Sequence, residues 1–328
     1  MVEVRNLSRS YGTFEAVRDV SFFAGKKEVI GLLGPNGAGK TTIMRILAGF
    51  HFPSGGSALV DGISLEEDPV EAKKRIGYLP ENVPLYGDLT VEENLRFIAE
   101  ARLVPAKKRE GAVQAVLEAC GLSSAGKARI ETLSRGFRQR TGLAQALVHD
   151  PPVLVLDEPA TGLDPNQIVE IRSLIKELGK RKTVILSTHI LAEAEAVCSR
   201  LLILNRGRVA AQGKPGEIRG AVKGGGSWEL LLKGADVPEV AAKTLSLGKG
   251  VTAGPAESEG PSLVRLHLFT EAAGDEEGGR FFDWAAAEGI KILSMNRKRP
   301  SMEDVFIKLT AAENPGETAG GKDRGGPA

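Results

Sequence analysis

Short, mainly apolar runs recur along the first two thirds of the chain, at residues 29–33, 153–156, 183–186 and 201–204. Runs of this length are typical of parallel strands that are buried on both faces. Segments with helical spacing lie between them, as at residues 168–178, where apolar side chains recur on one face. The alternation of strands and helices predicts an α/β domain built in layers.

From about residue 90 to residue 149 the pattern becomes almost wholly helical. Thr90 and Glu93 have the spacing of a capping box, which opens a helix that carries Leu95 and Ile98. We therefore predict a helical subdomain at about residues 83–150, inserted into an α/β domain that spans residues 1–212.

The amino-acid composition changes after Gln212. Residues 213–227 are rich in glycine and are predicted to form a linker. Residues 228–312 are predicted to form a small α+β domain, and residues 313–328 are too polar and too rich in glycine to fold. Within the small domain we expect strands at 228–232, 263–269 and 290–294, a helix at 281–287, and a second helix that begins after an N-cap at Ser301.

Charge and cysteine content narrow the possible partners. The 43 basic and 42 acidic residues leave a net charge of +1, which gives no reason to expect nucleic acid as a partner. Cys120 and Cys198 lie far apart without metal-ligand spacing, so we expect two reduced thiols.

Membrane-spanning segments are not expected from the sequence. The first residues, MVEVRNLSRSYG, contain no apolar stretch of the kind found in secretory signals. Nowhere does an uncharged apolar run approach the roughly 18 residues that a membrane helix needs. If the protein serves a membrane process, we expect it to act from one side of the bilayer without spanning it.

The strongest chemical motif runs from Gly34 to Thr41, with the sequence GPNGAGKT. It matches G-x-x-x-x-G-K-S/T, directly follows a predicted strand and precedes an amphipathic helix. Its glycines allow backbone N–H groups to surround phosphate oxygens, and the helix directs its positive end toward them. We expect Lys40 to lie along the β- and γ-phosphates and the Thr41 hydroxyl to ligate Mg²⁺.

An acidic pair, Asp157 and Glu158, follows the apolar run at residues 153–156. The carboxyl end of a strand is where α/β sheets bind ligands. In a chain with a phosphate loop, we expect Asp157 to hold Mg²⁺ directly or through water. Glu158 is then placed to face the attacking water as a general base.

The segment Leu133 to Arg140, LSRGFRQR, resembles the LSGGQ signature of ATP-binding cassette (ABC) ATPases, in the variant found in ABC-2-type export systems. Further matches follow in the order of that family: Tyr11, the Q-loop position at residues 76–81, the D-loop at residues 161–164, and His189 as the switch histidine. The resemblance covers residues 2–212, and it implies a P-loop NTPase fold with an inserted helical subdomain.

The resemblance weakens over the C-terminal part. There, residues 301–306 (SMEDVF) resemble the end common in ABC-2-type ATPase subunits. Residues 81–86 are most similar to the ATPase component of gliding-motility-associated exporters.

The resemblance also implies a set of site residues. Those expected to bind ATP are Tyr11 (stacked on adenine), Asn36, Gly37, Ala38, Gly39, Lys40, Thr41, Thr42 and Asp164, with Ser134 and Gly136 contacting the ATP of a partner subunit. Those expected to take part in catalysis are Glu158, His189, Lys40 and Glu81. Those expected to ligate Mg²⁺ are Thr41, Asp157 and Glu81.

Three positions depart from the usual family pattern. Arg135 replaces a glycine of the signature, and Phe137 replaces its glutamine. The Arg135 cation either faces the phosphates of the partner or points to solvent. Glu81 stands where most of the family carries glutamine; an ionised carboxylate accepts from water and binds Mg²⁺ but cannot donate. We expect Glu81 to keep the role of coupling the site to a membrane partner.

The partners implied by the resemblance are a second ABC ATPase copy and a separate polytopic transmembrane permease. Each site of a head-to-tail dimer combines the phosphate loop of one chain with the signature of its mate, and two identical chains form a two-fold assembly. ATP closes the dimer and hydrolysis reopens it. The chain is then expected in the cytoplasm, peripheral on the inner face of the cell membrane.

Two alternatives stay open at this point. One is a soluble ABC ATPase that acts on a ribosomal or chromosomal partner, although such proteins usually carry two cassettes or a long coiled-coil insertion. The other is a scaffold that binds ATP without hydrolysing it, which the set Lys40, Asp157, Glu158 and His189 disfavours.

Overall fold

A computed structural model describes residues 1–221, 226–247, 250–270, 276–298 and 302–311 of the chain. The chain divides into two compact units between Pro215 and Gly216. The predicted division of labour between an ATPase domain and an accessory domain stays a prediction.

The first unit contains ten strands. They are β1 (Val2–Tyr11), β2 (Phe14–Ala24), β3 (Val29–Leu33), β4 (Gly55–Val60), β5 (Ile63–Ser64), β6 (Ile76–Leu79), β7 (Val153–Asp157), β8 (Thr183–Thr188), β9 (Arg200–Asn205) and β10 (Arg208–Gly213).

Eight helices lie within residues 1–221, and the last of them begins at the boundary between the two units. They are α1 (Lys40–Leu47), α2 (Pro69–Lys74), α3 (Val91–Ala101), α4 (Ala106–Ala119), α5 (Arg135–Leu147), α6 (Pro165–Gly179), α7 (Leu191–Val197) and α8 (Pro215–Ala221), with a 3₁₀ turn at Ile130–Thr132.

A six-stranded sheet in the order β10-β9-β3-β8-β7-β6 forms the centre of the first unit. Its strands β9, β3, β8, β7 and β6 run parallel, and β10 pairs antiparallel at one edge. Every residue of β3, β7 and β8 is buried, which explains the short apolar runs within these strands. The prediction of a layered α/β fold is confirmed.

A second, antiparallel sheet in the order β2-β1-β4-β5 was not expected from the sequence. Its apolar residues alternate with exposed ones, so the strands carry no long apolar run. The core contains residues from both sheets together with Ile43, Met44, Ile46 and Leu47 of α1. Tyr11, expected before the first strands, is the last residue of β1.

Helices α3, α4 and α5 occupy the segment predicted to be helical. The Thr90 side chain accepts from the Glu93 N–H, and the Glu93 carboxylate accepts from the Thr90 N–H, so the predicted capping box is present. Ser134 caps α5 in the same way by accepting from the Phe137 N–H. The first of these helices begins at Val91, directly after the predicted cap residue Thr90, and the bounds 83–150 of the subdomain stay a prediction.

The second unit is a four-stranded antiparallel sheet, in the order β12-β13-β11-β14, with helices packed on it. Its elements are β11 (Ser227–Lys233), α9 (Val237–Lys243), a 3₁₀ turn at Thr244–Leu247, β12 (Val251–Gly260), β13 (Leu263–Thr270), α10 (Glu276–Ala287), β14 (Lys291–Lys298) and α11 (Met302–Ala311). Leu230, Leu266 and Phe281 are fully buried at its centre.

Two predictions for this region need correction. The linker predicted at 213–227 contains helix α8, which starts with a proline and buries Ile218. The glycines of the segment obscured these two helix signals. Strand β12 and helix α9 were missed, since β12 alternates small and polar residues over its length.

Two predictions made from the sequence fall on residues that the structure does not describe. The predicted N-cap Ser301 and the tail 313–328 lie outside the described residues. In the described ranges, the helices are all too short or too polar to cross a membrane.

Gly77 illustrates how tightly the layers pack. A Cβ added at Gly77, on β6, would overlap the backbone oxygen of Ala146 on α5. Neither backbone can move without disturbing the sheet or the helix. The strand and the signature-bearing helix α5 are therefore in direct contact at this glycine.

We predict that Gly77→Ala destabilises the protein by about 1–3 kcal/mol, the usual cost of overpacking. Gly111→Ala is the matched control, because a Cβ at this exposed position of α4 meets open space. The control is expected to stabilise α4 by up to about 1 kcal/mol. Equilibrium urea unfolding checks both, and equal midpoints for the two variants would contradict the packing argument.

Candidate active site

The loop between β3 and α1 has a backbone that only glycine adopts readily. Gly37 and Gly39 have φ values of +80° and +101°. A Cβ at Gly39 would lie 2.6 Å from the Ala16 carbonyl oxygen, whereas none of the described heavy atoms lies within 4 Å of one at Gly37. Gly39 therefore packs against the neighbouring strand, and Gly37 leaves space for a ligand beside the loop.

Lys40, the first residue of α1, is buried with its ammonium group inside the loop. Its Nζ donates to the carbonyl oxygens of Gly34 at 2.8 Å and Pro35 at 3.2 Å. The same Nζ lies 3.7 Å from Oε1 of Glu158. A buried cation thus faces a buried carboxylate across the mouth of the loop.

Asp157 ends β7 and is almost completely buried. Its Oδ1 accepts a hydrogen bond from the Ser187 hydroxyl at 2.6 Å and lies 3.5 Å from the Thr41 hydroxyl. Burial raises the pKa of Asp157, the Glu158 and Glu81 carboxylates raise it further, and the bond from Ser187 opposes them. This negative, oxygen-rich environment fits a small divalent cation, which prefers carboxylate and hydroxyl ligands.

Glu158 adopts a left-handed backbone with φ of 48°, which is strained for a residue with a side chain. Its N–H donates to the Ser187 hydroxyl at 2.9 Å. Its carboxylate oxygen Oε2 lies 2.9 Å from Nδ1 of His189 and 3.4 Å from the Thr161 hydroxyl. Ser187 therefore supports both acidic residues at once.

These groups surround a cavity of about 280 Å³. Its walls are Phe14, Ala16, residues 36–42, Glu81, Glu158, Thr161 and His189. The structure thus brings together the predicted phosphate loop, Glu81, Glu158 and His189, with Asp157 directly behind them.

Comparison with known proteins identifies the family. Residues 17–161 match the family model described as ABC transporter. The chain is 35% identical over 324 residues to the Nod factor export ATP-binding protein I of Rhizobium etli, covering 95% of this chain and 94% of that protein. The chain belongs to the ATP-binding subunits of ABC transporters.

Other relatives agree with this assignment. A linearmycin resistance ATP-binding protein of Bacillus subtilis is 31% identical over 313 residues, which is 94% of this chain and 98% of that protein. A solved ATP-binding subunit of an ABC transporter is 34% identical, with a TM-score of 0.61 over 67% of this chain and 92% of that one. A dimeric ATP-binding cassette solved with ADP and Pi is 26% identical, with a TM-score of 0.60 over 65% of this chain and 98% of that one. The protein is an ATPase of the P-loop fold.

Tyr11 is not among the described residues that line the cavity of this ABC ATPase. One of its faces is covered by the Arg9 guanidinium, whose Cζ lies 4.8 Å from the ring centroid, and its ring meets that of His51 edge-on at 6.0 Å. The aromatic residue at the cavity is Phe14, on the following strand. The sequence analysis did not identify Phe14, because it begins a strand and belongs to no motif.

The signature residues of this ABC ATPase lie away from that cavity. Ser134 is exposed at the start of α5, and the described residues that line the cavity include neither Ser134 nor Gly136 nor Asp164. A Cβ at Gly136 would lie 2.6 Å from the Gln167 side chain. Asp164 caps α6 in a capping box with Gln167. The start of α5 therefore packs on the start of α6.

Arg135 is exposed in the single chain, and a position beside the phosphates of a partner stays a prediction. Its guanidinium lies over Gly162, whose φ of +70° and lack of a Cβ make room for it. The exposed arginine of the signature thus contacts the D-loop of its own chain.

A larger groove of about 790 Å³ adjoins the cavity at the phosphate loop of this subunit. Thr41 and Glu81 line both spaces. Phe50 and Tyr86 line the groove with 67% and 55% of their surfaces exposed. Exposed aromatic residues around a concave surface are typical of protein-docking sites.

Ser187 is a site residue that the sequence did not single out, although it stands two positions before His189. We predict that Ser187→Ala lowers the ATPase rate by about tenfold or more, as for other residues that orient metal ligands. The change removes the donor to Asp157 and the acceptor for the Glu158 N–H.

Steady-state phosphate release checks this prediction. Ser173→Ala, an exposed serine on α6, is the control and is expected to leave the rate unchanged. An Ser187→Ala protein with the wild-type rate would show that these two hydrogen bonds do not matter for turnover.

Proposed function

We propose that this ATPase is the energy-supplying subunit of an ABC-2-type exporter and drives a separate polytopic permease. The observation that carries the proposal is the common wall of the nucleotide cavity and the large groove, formed by Thr41 and Glu81. Thr41 and Glu81 would contact the nucleotide on one side and the permease in the groove on the other. Relatives named for Nod factor export and linearmycin resistance support the direction of transport.

In this proposal the phosphate loop binds the triphosphate of ATP. The backbone from Asn36 to Thr42 directs N–H groups at the phosphates, as positive φ values at Gly37 and Gly39 allow. The Lys40 ammonium leaves its carbonyl partners to lie along the β- and γ-phosphates. Tyr11 keeps one ring face for the adenine, with Arg9 against the other.

Mg²⁺ would be held by Thr41 and Asp157, with Glu81 as a further ligand, where it would neutralise phosphate charge. Asp157 is the firmest of these ligands, because the Ser187 bond fixes its carboxylate. Glu81, on the segment after β6, is placed to report the state of the site to the groove.

Glu158 acts as the general base for hydrolysis in this proposal. Its carboxylate borders the cavity between Lys40 and His189, and it accepts a proton from the water that attacks the γ-phosphorus. His189 orients that carboxylate through the 2.9 Å contact and can bond the γ-phosphate with its ring.

A second copy of the chain completes each site. Ser134 and Gly136 stand at the N-terminus of α5, away from the cavity of their own chain. An exposed helix N-terminus favours anionic ligands, so these residues suit the γ-phosphate bound by a partner. We infer a head-to-tail dimer of two-fold symmetry, closed by two ATP molecules.

The groove is the proposed docking site of the permease. Its walls include Phe50, Tyr86 and Ile98, and its volume is about 790 Å³. Docking there places the protein on the cytoplasmic face of the cell membrane as a peripheral subunit.

We predict that Glu158→Gln lowers ATP turnover by about 10²–10⁴-fold while ATP binding persists, because the amide cannot accept the proton. Bound ATP then holds the protein as a closed dimer. Phosphate release, equilibrium ATP binding and size-exclusion chromatography with ATP check the three expectations. Glu177→Gln, an exposed change on α6, is the control. A Glu158→Gln protein with wild-type turnover would remove Glu158 from the base role.

We also expect a polytopic membrane protein to copurify in stoichiometric amount after mild-detergent extraction of native membranes. Variants Phe50→Ser and Tyr86→Ser, at exposed groove positions, should lose the partner while keeping basal ATPase activity. Mass spectrometry of the copurifying chains is the measurement. Recovery only from the soluble fraction, with ribosomal or chromosomal proteins, would contradict the exporter proposal and favour a soluble ABC ATPase.

A further inference from the structure

Glu193 is a buried carboxylate that lies outside the described lining of the nucleotide cavity. It stands in the first turn of α7, four residues after His189, and 7% of its surface is exposed. Its two oxygens face different elements. Oε2 accepts a hydrogen bond from the Thr188 hydroxyl at 3.2 Å, and Oε1 lies 3.8 Å from Nη2 of Arg172.

Thr188 connects this carboxylate to the backbone around the switch histidine. A carboxylate only accepts, so the Thr188 hydroxyl must donate its hydrogen to Glu193. The hydroxyl oxygen is then free to accept from the Ile190 N–H, at 3.0 Å. One side chain thereby restrains the residues on both sides of His189.

Arg172 connects the same carboxylate to α6. That helix begins directly after Asp164 of the D-loop, and Arg172 lies in its third turn. Burial of a carboxylate is costly unless it is paired and hydrogen-bonded, so the pair has a strong preference to remain intact. Glu193 therefore ties the loop of His189 to the helix that starts at the D-loop.

The His189 side chain is held close to Glu158 although it is half exposed. The His189 side chain is about half exposed, with little packing of its own to fix it, yet its Nδ1 stands 2.9 Å from the Glu158 carboxylate. Its backbone is restrained by the pairing of Thr188 with Leu33 in the sheet and by the hydrogen bonds of the Thr188 hydroxyl with Glu193 and Ile190.

We propose that Glu193 is a positioning residue for hydrolysis, which fixes the backbone of His189 through Thr188 and aligns it with α6 through Arg172. The proposal rests on the role proposed for His189. Glu193 acts on the chemical step, so its loss lowers the hydrolysis rate without weakening the binding of ATP.

Single-turnover hydrolysis of ATP with excess protein, together with equilibrium ATP binding, tests the proposal. Glu193→Ala is expected to slow hydrolysis by about tenfold or more, as small misplacements of catalytic groups do, with the ATP dissociation constant within about twofold of wild type. Thr188→Val should slow it similarly, and Thr188→Ser, which keeps the hydroxyl, should restore the rate. Glu193→Gln keeps an acceptor for Thr188 and should show a smaller loss.

A double-mutant cycle with His189→Ala separates positioning from general support of the fold. If Glu193 acts through His189, Glu193→Ala causes no further loss in the His189→Ala protein. An equal loss in both backgrounds, an unchanged rate in Glu193→Ala and Thr188→Val, or a loss confined to ATP binding would each overturn the proposal. A His189→Ala protein with the wild-type rate would overturn the role of His189 as well, and this single variant tells the two failures apart.

Discussion

The parallel register of the buried strands β3, β7 and β8 determines where the charged and polar side chains of the site lie. Leu33 of β3 pairs with Thr188 of β8, and Asp157 of β7 pairs with Ser187 of β8. The phosphate loop, the acidic pair and the switch histidine all follow these strands at the same edge of the sheet. Groups that lie more than a hundred residues apart in sequence are thereby brought within hydrogen-bond distance, and the flanking helices hold the strands in place.

The site concentrates charge around three buried groups, Lys40, Asp157 and Glu158. Glu158 lies 3.7 Å from the Lys40 ammonium, and Glu81 borders the same cavity. Burial raises the pKa of both Asp157 and the nearby Tyr78, the latter to about 12. Such an arrangement is unfavourable on its own and becomes favourable when a cation and phosphates enter. The left-handed backbone of Glu158 is a second cost, which the Ser187 bond to its N–H helps to offset.

Sequence patterns predicted the parts of the structure that rest on short-range rules. The capping box at Thr90, the phosphate loop and the buried strands follow from spacing within a few residues, and each is present. The antiparallel sheet, Phe14 and the Arg135 contact with Gly162 depend on residues distant in sequence, so no local pattern indicates them. Helix α8 was missed for a different reason. The glycine content of residues 213–227 predicted a linker, although Pro215 and Ile218 are local signals of a helix. The roles of the site residues stay predictions, since geometry alone does not measure a rate.

The wall that the nucleotide cavity shares with the groove has a thermodynamic consequence. Thr41 and Glu81 line both spaces, so ATP and a permease bound as proposed would contact the same two residues and could be energetically linked through them. Linkage is reciprocal: the factor by which ATP changes the affinity of the groove for its occupant equals the factor by which the occupant changes the affinity for ATP. In the proposed assembly, the permease in the groove would thus act as an allosteric effector of the nucleotide site, to the extent that Thr41 and Glu81 differ between the empty and occupied states.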